Sequence, residues 1–104
     1  MSREFTFEGS LWLYEGKGAW HFITLPRAVA SQIKKATAVS KQAFGTVRVL
    51  AIVGGTHWKT AIFLDTKRGT YLLPIKAEVR RREQVQAGMV FEISILIEAE
   101  EEME

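Results

Sequence analysis

The sequence has no cysteine, one aspartate, two histidines and two prolines among its 104 residues. Without cysteine there is no disulfide staple, no thiolate zinc site and no thiol redox centre. The two histidines, His21 and His57, have no carboxylate pair beside them to complete a ligand set, so neither a metal nor a cofactor is expected. Serines at positions 2, 10, 31, 40 and 94 lack the strand-turn-helix setting of an activated nucleophile. The lone aspartate, Asp65, falls in a turn-forming run, where its carboxylate serves its own backbone. The stretch from Gly54 to Thr60 has the wrong glycine spacing for a phosphate loop and lies between two strands instead of ahead of a helix. Glu8 and Glu92 stand inside apolar strands on the more polar parity, as solvated side chains do. No catalytic residue is assigned, and a protein that is not an enzyme is expected.

Long hydrophobic runs are missing as well. The longest apolar-rich stretch, Val47 to Val53, is interrupted by Arg48 and falls short of the roughly 18 residues that span a bilayer. With the polar start Met1-Ser2-Arg3-Glu4, the expectation is a cytoplasmic protein with no membrane partner. The length suits one domain, and 47% hydrophobic residues exclude a disordered chain. The net charge of +2 is uneven: Glu98, Glu100, Glu101, Glu102 and Glu104 crowd the C-terminus, leaving 14 basic against 7 acidic residues over positions 1–97. The expected organisation is one domain over residues 1–98 and an acidic tail over 99–104. A body charged in this way suits an anionic partner, and also suits an ordinary soluble surface.

What is present is strand alternation punctuated by glycine. Phe5, Phe7, Leu11 and Leu13 share one parity over residues 4–15, and Gly16-Lys17-Gly18 turns the chain into a partner strand over 19–25. Pro26 opens a short helix to residue 35 whose buried edge is Val29 and Ile33. Residues 36–45 read as loop. Thr46 to Val53 is apolar on both parities, so Leu50 and Ile52 on its outer side need a cover, either the first helix or a second chain. Gly54-Gly55 predicts a type I′ hairpin into residues 57–64, Asp65 to Gly69 turns again, and Thr70 to Leu73 is stopped by Pro74. A helical turn or two over 77–85 precedes the cleanest alternation, Met89 to Glu98. Six short strands and two short helices predict a mainly β protein, a small closed β-barrel, with Phe5, Phe7, Val47, Val49, Phe91, Ile93 and Ile95 inside.

Thr24-Leu25-Pro26 and Leu72-Leu73-Pro74, 48 residues apart, each place strand, proline and short helix in that order. This layout resembles the half-barrel of the swapped-hairpin AbrB/MazE regulators, and two copies in one chain would close a barrel alone, favouring a monomer. The pattern departs at Met89, where those proteins carry an acidic residue, and in two extra residues after Pro74. A closer likeness covers residues 3–98. Trp20-x-Phe22 with Leu25-Pro26, Gly54-Gly55-x-x-Trp58-x-Thr60 with Phe63, Gly69-x-Tyr71-x-x-Pro74-Ile75-Lys76 with Val79-Arg80, and Gly88-x-Val90 together resemble the bacterial and archaeal family called domain of unknown function nineteen-oh-five. The resemblance implies a small β-barrel, in some members beside a helical domain of the YdeI/OmpD-associated bacteriocin-protection type, and implies no reaction.

Cations concentrate at Lys76, Arg80, Arg81 and Arg82, with Lys67-Arg68 just upstream and Lys59 on the preceding strand. The guanidinium fork suits carboxylate or phosphate oxygens, while Glu78, Glu83 or the tail are competing local partners. Trp20 and Trp58 are expected near a barrel mouth, where a tryptophan wall beside cations makes a pocket; core packing is their plainer use. The candidate ligand-binding residues are thus Trp20, Trp58, Lys59, Lys76, Arg80 and Arg82. The expected function is a non-enzymatic module binding a small anionic ligand or a protein. Nucleic-acid binding by a regulator-like barrel is the second expectation, and an enzyme of unknown reaction the third.

Overall fold

Alternating apolar side chains have one place to go when six strands curl into a tube, and that is the lumen. The computed structural model describes residues 4–37 and 45–98. It consists of β1 (Glu4–Leu13), β2 (His21–Thr24), α1 (Arg27–Ala36), β3 (Thr46–Val53), β4 (Thr56–Asp65), β5 (Thr70–Pro74), α2 (Ala77–Glu83) and β6 (Val90–Ile97). The strands close a barrel in the order β1-β2-β5-β4-β3-β6, every neighbouring pair antiparallel. Its core includes Phe5, Phe7, Leu11, Ile23, Val47, Val49, Ile62, Leu73, Ile93 and Ile95. Phe91, expected among them, is only partly buried, because it lies toward the barrel rim opposite Gly9. The tail and most of the loop expected over 36–45 lie outside the described residues.

The two halves of the chain are related by a pseudo-twofold exchange. Swapping β1, β2 and β3 with β4, β5 and β6 returns the same strand order. Registers agree with the swap: Phe22 faces Trp12 as Leu72 faces Phe63, and Leu13 faces His21 as Leu64 faces Tyr71. Leu25 donates its N–H to Tyr71 as Ile75 donates to His21. The offset between β2-α1 and β5-α2 is therefore 50 residues, because Ile75 takes the place of Leu25. The 48-residue spacing of the two prolines is corrected accordingly: Pro26 occupies the place of Lys76, the residue before each helix, while Pro74 is the counterpart of Thr24. This relation also explains why one chain closes the tube unaided.

Three local expectations change. The β3–β4 turn has positive φ at Gly54 (57°) and not at Gly55, the pattern of a type II′ turn, which twists the hairpin as well as a type I′ turn does. The connection from β1 to β2 is wider than a tight glycine turn, closing where Tyr14 donates to the Trp20 carbonyl and passing through positive φ at Gly18 and Ala19. Leu13 therefore leaves the core and is exposed. Finally, α1 packs toward β5, and the outer side chains of Leu50 and Ile52 stay half-buried, with Leu50 opposite Leu96 on β6. Among the described residues, no helix is long and apolar enough to cross a membrane.

Candidate functional site

One mouth of the barrel opens into a cleft of about 340 Å³. Trp20, His21, Trp58, Lys59, Lys76 and Arg80 line it, with backbone from Gly18 to Ala19 and from Pro74 to Ala77. Five of the six residues chosen from the sequence thus meet in one place. Arg82 does not line the cleft; like Arg81 it is exposed on α2, because only Arg80 follows the buried Val79 toward the barrel.

Each wall has a local cause. Inward parity on β4 buries Trp58 to 9% exposure, and the same parity turns Lys59 outward at the rim. Trp20 is 52% exposed and lies parallel to Phe22, with ring centroids 5.9 Å apart and an interplanar angle of 7°. A Cβ at Gly18 would stand 2.9 Å from the Trp20 ring, so glycine lets the indole lie over the backbone. Lys76 precedes α2 and Arg80 follows one turn later, which puts both on one side. The half-buried Arg80 donates from Nη1 to the Ile75 carbonyl at 2.8 Å, leaving the rest of its guanidinium donors for another acceptor. Lys76 approaches Glu78 at 3.9 Å with both side chains exposed, a contact worth little. No carboxylate lines this cleft.

The pseudo-twofold relation supplies an internal comparison. Where the second half carries Lys76, Arg80, Lys59 and Trp58, the first half carries Pro26, Ala30, Glu8 and Phe7. The same strands and the same helix start form with either set. The barrel therefore does not require cations at these positions; the related mouth has Glu8 in place of Lys59, and its own arginines, Arg27 and Arg68, stand at the counterparts of Ala77 and Gly18, with Arg68 paired to Asp65.

A second, more apolar cleft of about 430 Å³ lies on the outer face of β1, β2, β5 and β4, lined by Trp12, Tyr14, Trp20, Phe22, Phe63, Arg68 and Leu72. Phe22 is its centre, 5.4 Å from Trp12 and 6.2 Å from Tyr14 between centroids. Trp12 donates its indole N–H to Thr24 Oγ1 at 2.9 Å, and Arg68 stands 5.1 Å over its ring. Of these, the sequence marked Trp20 alone as a binding candidate. Phe63 and Arg68, named in the sequence only as a family marker and as part of the basic cluster, join the face through the β4–β5 pairing and its turn. Trp20 borders both clefts.

The remaining polar groups have structural work. Asp65 accepts from the backbone N–H groups of Lys67 and Arg68 and from Arg68 Nη1, at 2.5 Å for the last. That guanidinium hydrogen bond holds the Asp65 carboxyl below its ordinary range. His21 Nδ1 is 3.0 Å from the Ala19 carbonyl, and His57 is exposed beyond the β3–β4 turn. Glu8 and Glu92 are exposed and face each other across β1 and β6. Among the described residues, no three His, Cys, Asp or Glu side chains cluster as a metal site would need.

Fold and site together define a class: a pseudo-twofold six-stranded barrel with one basic, tryptophan-walled mouth. The chain belongs to the family described as Domain of unknown function (DUF1905), which matches residues 7–95. A search of curated proteins found no match.

Proposed function

We propose that the protein is a non-enzymatic binding module whose basic mouth takes a small anion with a flat apolar body. The observation that carries this reading is the gathering of Lys59, Lys76 and Arg80 around one cleft that no carboxylate lines; the twofold-related positions hold Glu8, Pro26 and Ala30, and of the related mouth's arginines, Arg27 and Arg68, the second is paired with Asp65. Cations that the fold does not need, brought together and left largely uncompensated, are what an anionic ligand would repay. The exposed Trp20 face offers the flat part of that ligand a stacking surface. One ligand per chain follows, and the closed barrel supports a monomer as the working unit.

Thermal-shift and calorimetric titration with inorganic phosphate, aromatic carboxylates and nucleoside monophosphates tests the reading. At least one aromatic anion should stabilise the protein at a stoichiometry of one, and Arg80→Ala should abolish the effect. No stabilisation by any of them, with the Arg80→Ala protein responding like the parent, would sink it.

A further inference from the structure

We infer that the basic mouth and the outer aromatic face form one track for single-stranded nucleic acid, an inference that rests on the anion-binding reading of the mouth. Trp20 joins the two clefts. One side of it lines the cleft with Lys59, Lys76 and Arg80, and it stacks on Phe22, from which Trp12 and Tyr14 continue across the outer face. A charged cleft and an aromatic platform that share a side chain suit a ligand with alternating anionic and flat units. A strand of unpaired nucleotides is such a ligand, with phosphates at the cations and bases on the rings.

The chemistry of the lining narrows the occupant. Neither cleft is lined by Asp, Glu, Asn or Gln. Side-chain carboxylate and amide partners, which fix sugar hydroxyls and adenine or cytosine edges bidentately, are absent from both linings. Sequence-tolerant stacking is what remains. An extended peptide adding a strand would use the edge of β4 that β5 leaves unpaired over residues 56–62, and would leave the outer aromatic face unused. A duplex keeps its bases stacked internally and leaves the aromatic face unused. Arg68 stands over the Trp12 ring but is paired with Asp65, so the unpaired positive charge stays at the mouth.

Fluorescence anisotropy with labelled oligothymidylate of about eight nucleotides, within the site size of small barrels, tests the track. Thymidine monophosphate and a duplex of equal length are the companion probes. The oligonucleotide should bind more tightly than either, with a log–log salt slope of about −2 for three phosphate contacts. Arg80→Ala should make the slope shallower by about 0.7. Tyr14→Ala combined with Phe63→Ala, both at exposed positions, should weaken the oligonucleotide at least about fivefold while leaving the monophosphate unchanged.

Monophosphate binding with an oligonucleotide that binds no tighter and ignores the Tyr14 and Phe63 changes would overturn the track and leave the anion reading standing. Equal affinity for duplex and single strand would overturn it too. So would a change in sedimentation on Tyr14→Ala and Phe63→Ala with nucleic-acid affinity unaltered, which would mark the face as a protein contact. Failure of every anion, oligonucleotide included, would remove both readings.

Discussion

Thr56 donates a hydrogen bond to Glu83 Oε2 at 2.5 Å, tying the start of β4 to the last residue of α2. The twofold-related positions carry Phe5 and Ile33, both in the apolar core. The second half thus uses a polar tie where the first half uses hydrophobic packing. Because α2 carries Arg80, this tie also fixes the basic wall of the cleft.

Gly54 sits against that tie. Its φ of 57° is left-handed, and a Cβ there would run into Glu83 Oε1. Gly54→Ala should therefore cost both backbone strain and the Thr56–Glu83 bond, together about 2–3 kcal/mol. In a Glu83→Ala background the same change should cost only the backbone part, about 1 kcal/mol. Gly55→Ala, with nothing within 4 Å of the new Cβ, should be milder. Urea titration of the four proteins measures the coupling; additive losses would refute it.

Gly9 lies on the inward parity of β1, where Ile23 Cγ2 would be 2.6 Å from an added Cβ. Ile23 is fully buried, so it has no solvent to retreat into. Gly9→Ala should destabilise by about 1–3 kcal/mol through overpacking. The penalty should shrink when Ile23→Ala vacates the same volume, at that variant's own cost of about 2–5 kcal/mol. Denaturant midpoints of the single and double variants decide it.

Glu8 and Glu92 face each other as like charges on the outer surface. Glu8→Lys should raise stability by roughly 0.2–1 kcal/mol in low salt, and the gain should fade as salt screens it. A destabilised Glu8→Lys protein would show that the pair has another role.

Two groups set the pH limits. The Arg68 hydrogen bond depresses Asp65 below its ordinary value of 3.8, so its contribution is complete above that value and is lost as pH falls through the lower folded-state pKa. Burial raises the Tyr71 hydroxyl above its ordinary value of 10.0, so the stability it confers is complete below that value and is lost as pH rises toward the higher folded-state pKa. Melting temperatures scanned over pH should fall at both ends. Asp65→Asn should flatten the acid limb and Tyr71→Phe the alkaline limb; unchanged limbs would remove these residues from the account.

The first half of the barrel supplies a design for disabling the second. Arg80→Ala and Lys59→Glu install the residues found at Ala30 and Glu8; the exposed Lys59→Glu should unfold within about 0.5 kcal/mol of the parent, and Arg80→Ala should cost about 1–3 kcal/mol for its hydrogen bond to the Ile75 carbonyl. Both should lose the stabilisation that an aromatic anion gives. A loss in Lys59→Glu, or a loss in Arg80→Ala beyond that one hydrogen bond, would mean that these cations serve the fold.

Strand identity, barrel closure and most of the core were readable in the order of residues, because inward and outward side chains alternate with period two and glycines mark the reversals. Phe91 and Leu13 escaped that reading, since parity says which way a side chain points and not where the barrel ends. Five of the six candidate site residues could be named because cations and tryptophans are conspicuous, yet Arg82 shared the composition of Arg80 without sharing its inward neighbour. Nothing in the chain order placed Phe63 and Arg68 beside Trp12, nor separated the proline echo from the true 50-residue offset. Those relations depend on which strands hydrogen-bond across the sheet and in what register. Sequence alone determined that the chain lacks thiols and a recognisable catalytic set, and that its strands would close. Tertiary structure decided which cations meet, because only strand pairing brings Lys59 of β4 and Trp20 beside β2 to the turn of α2 that carries Arg80.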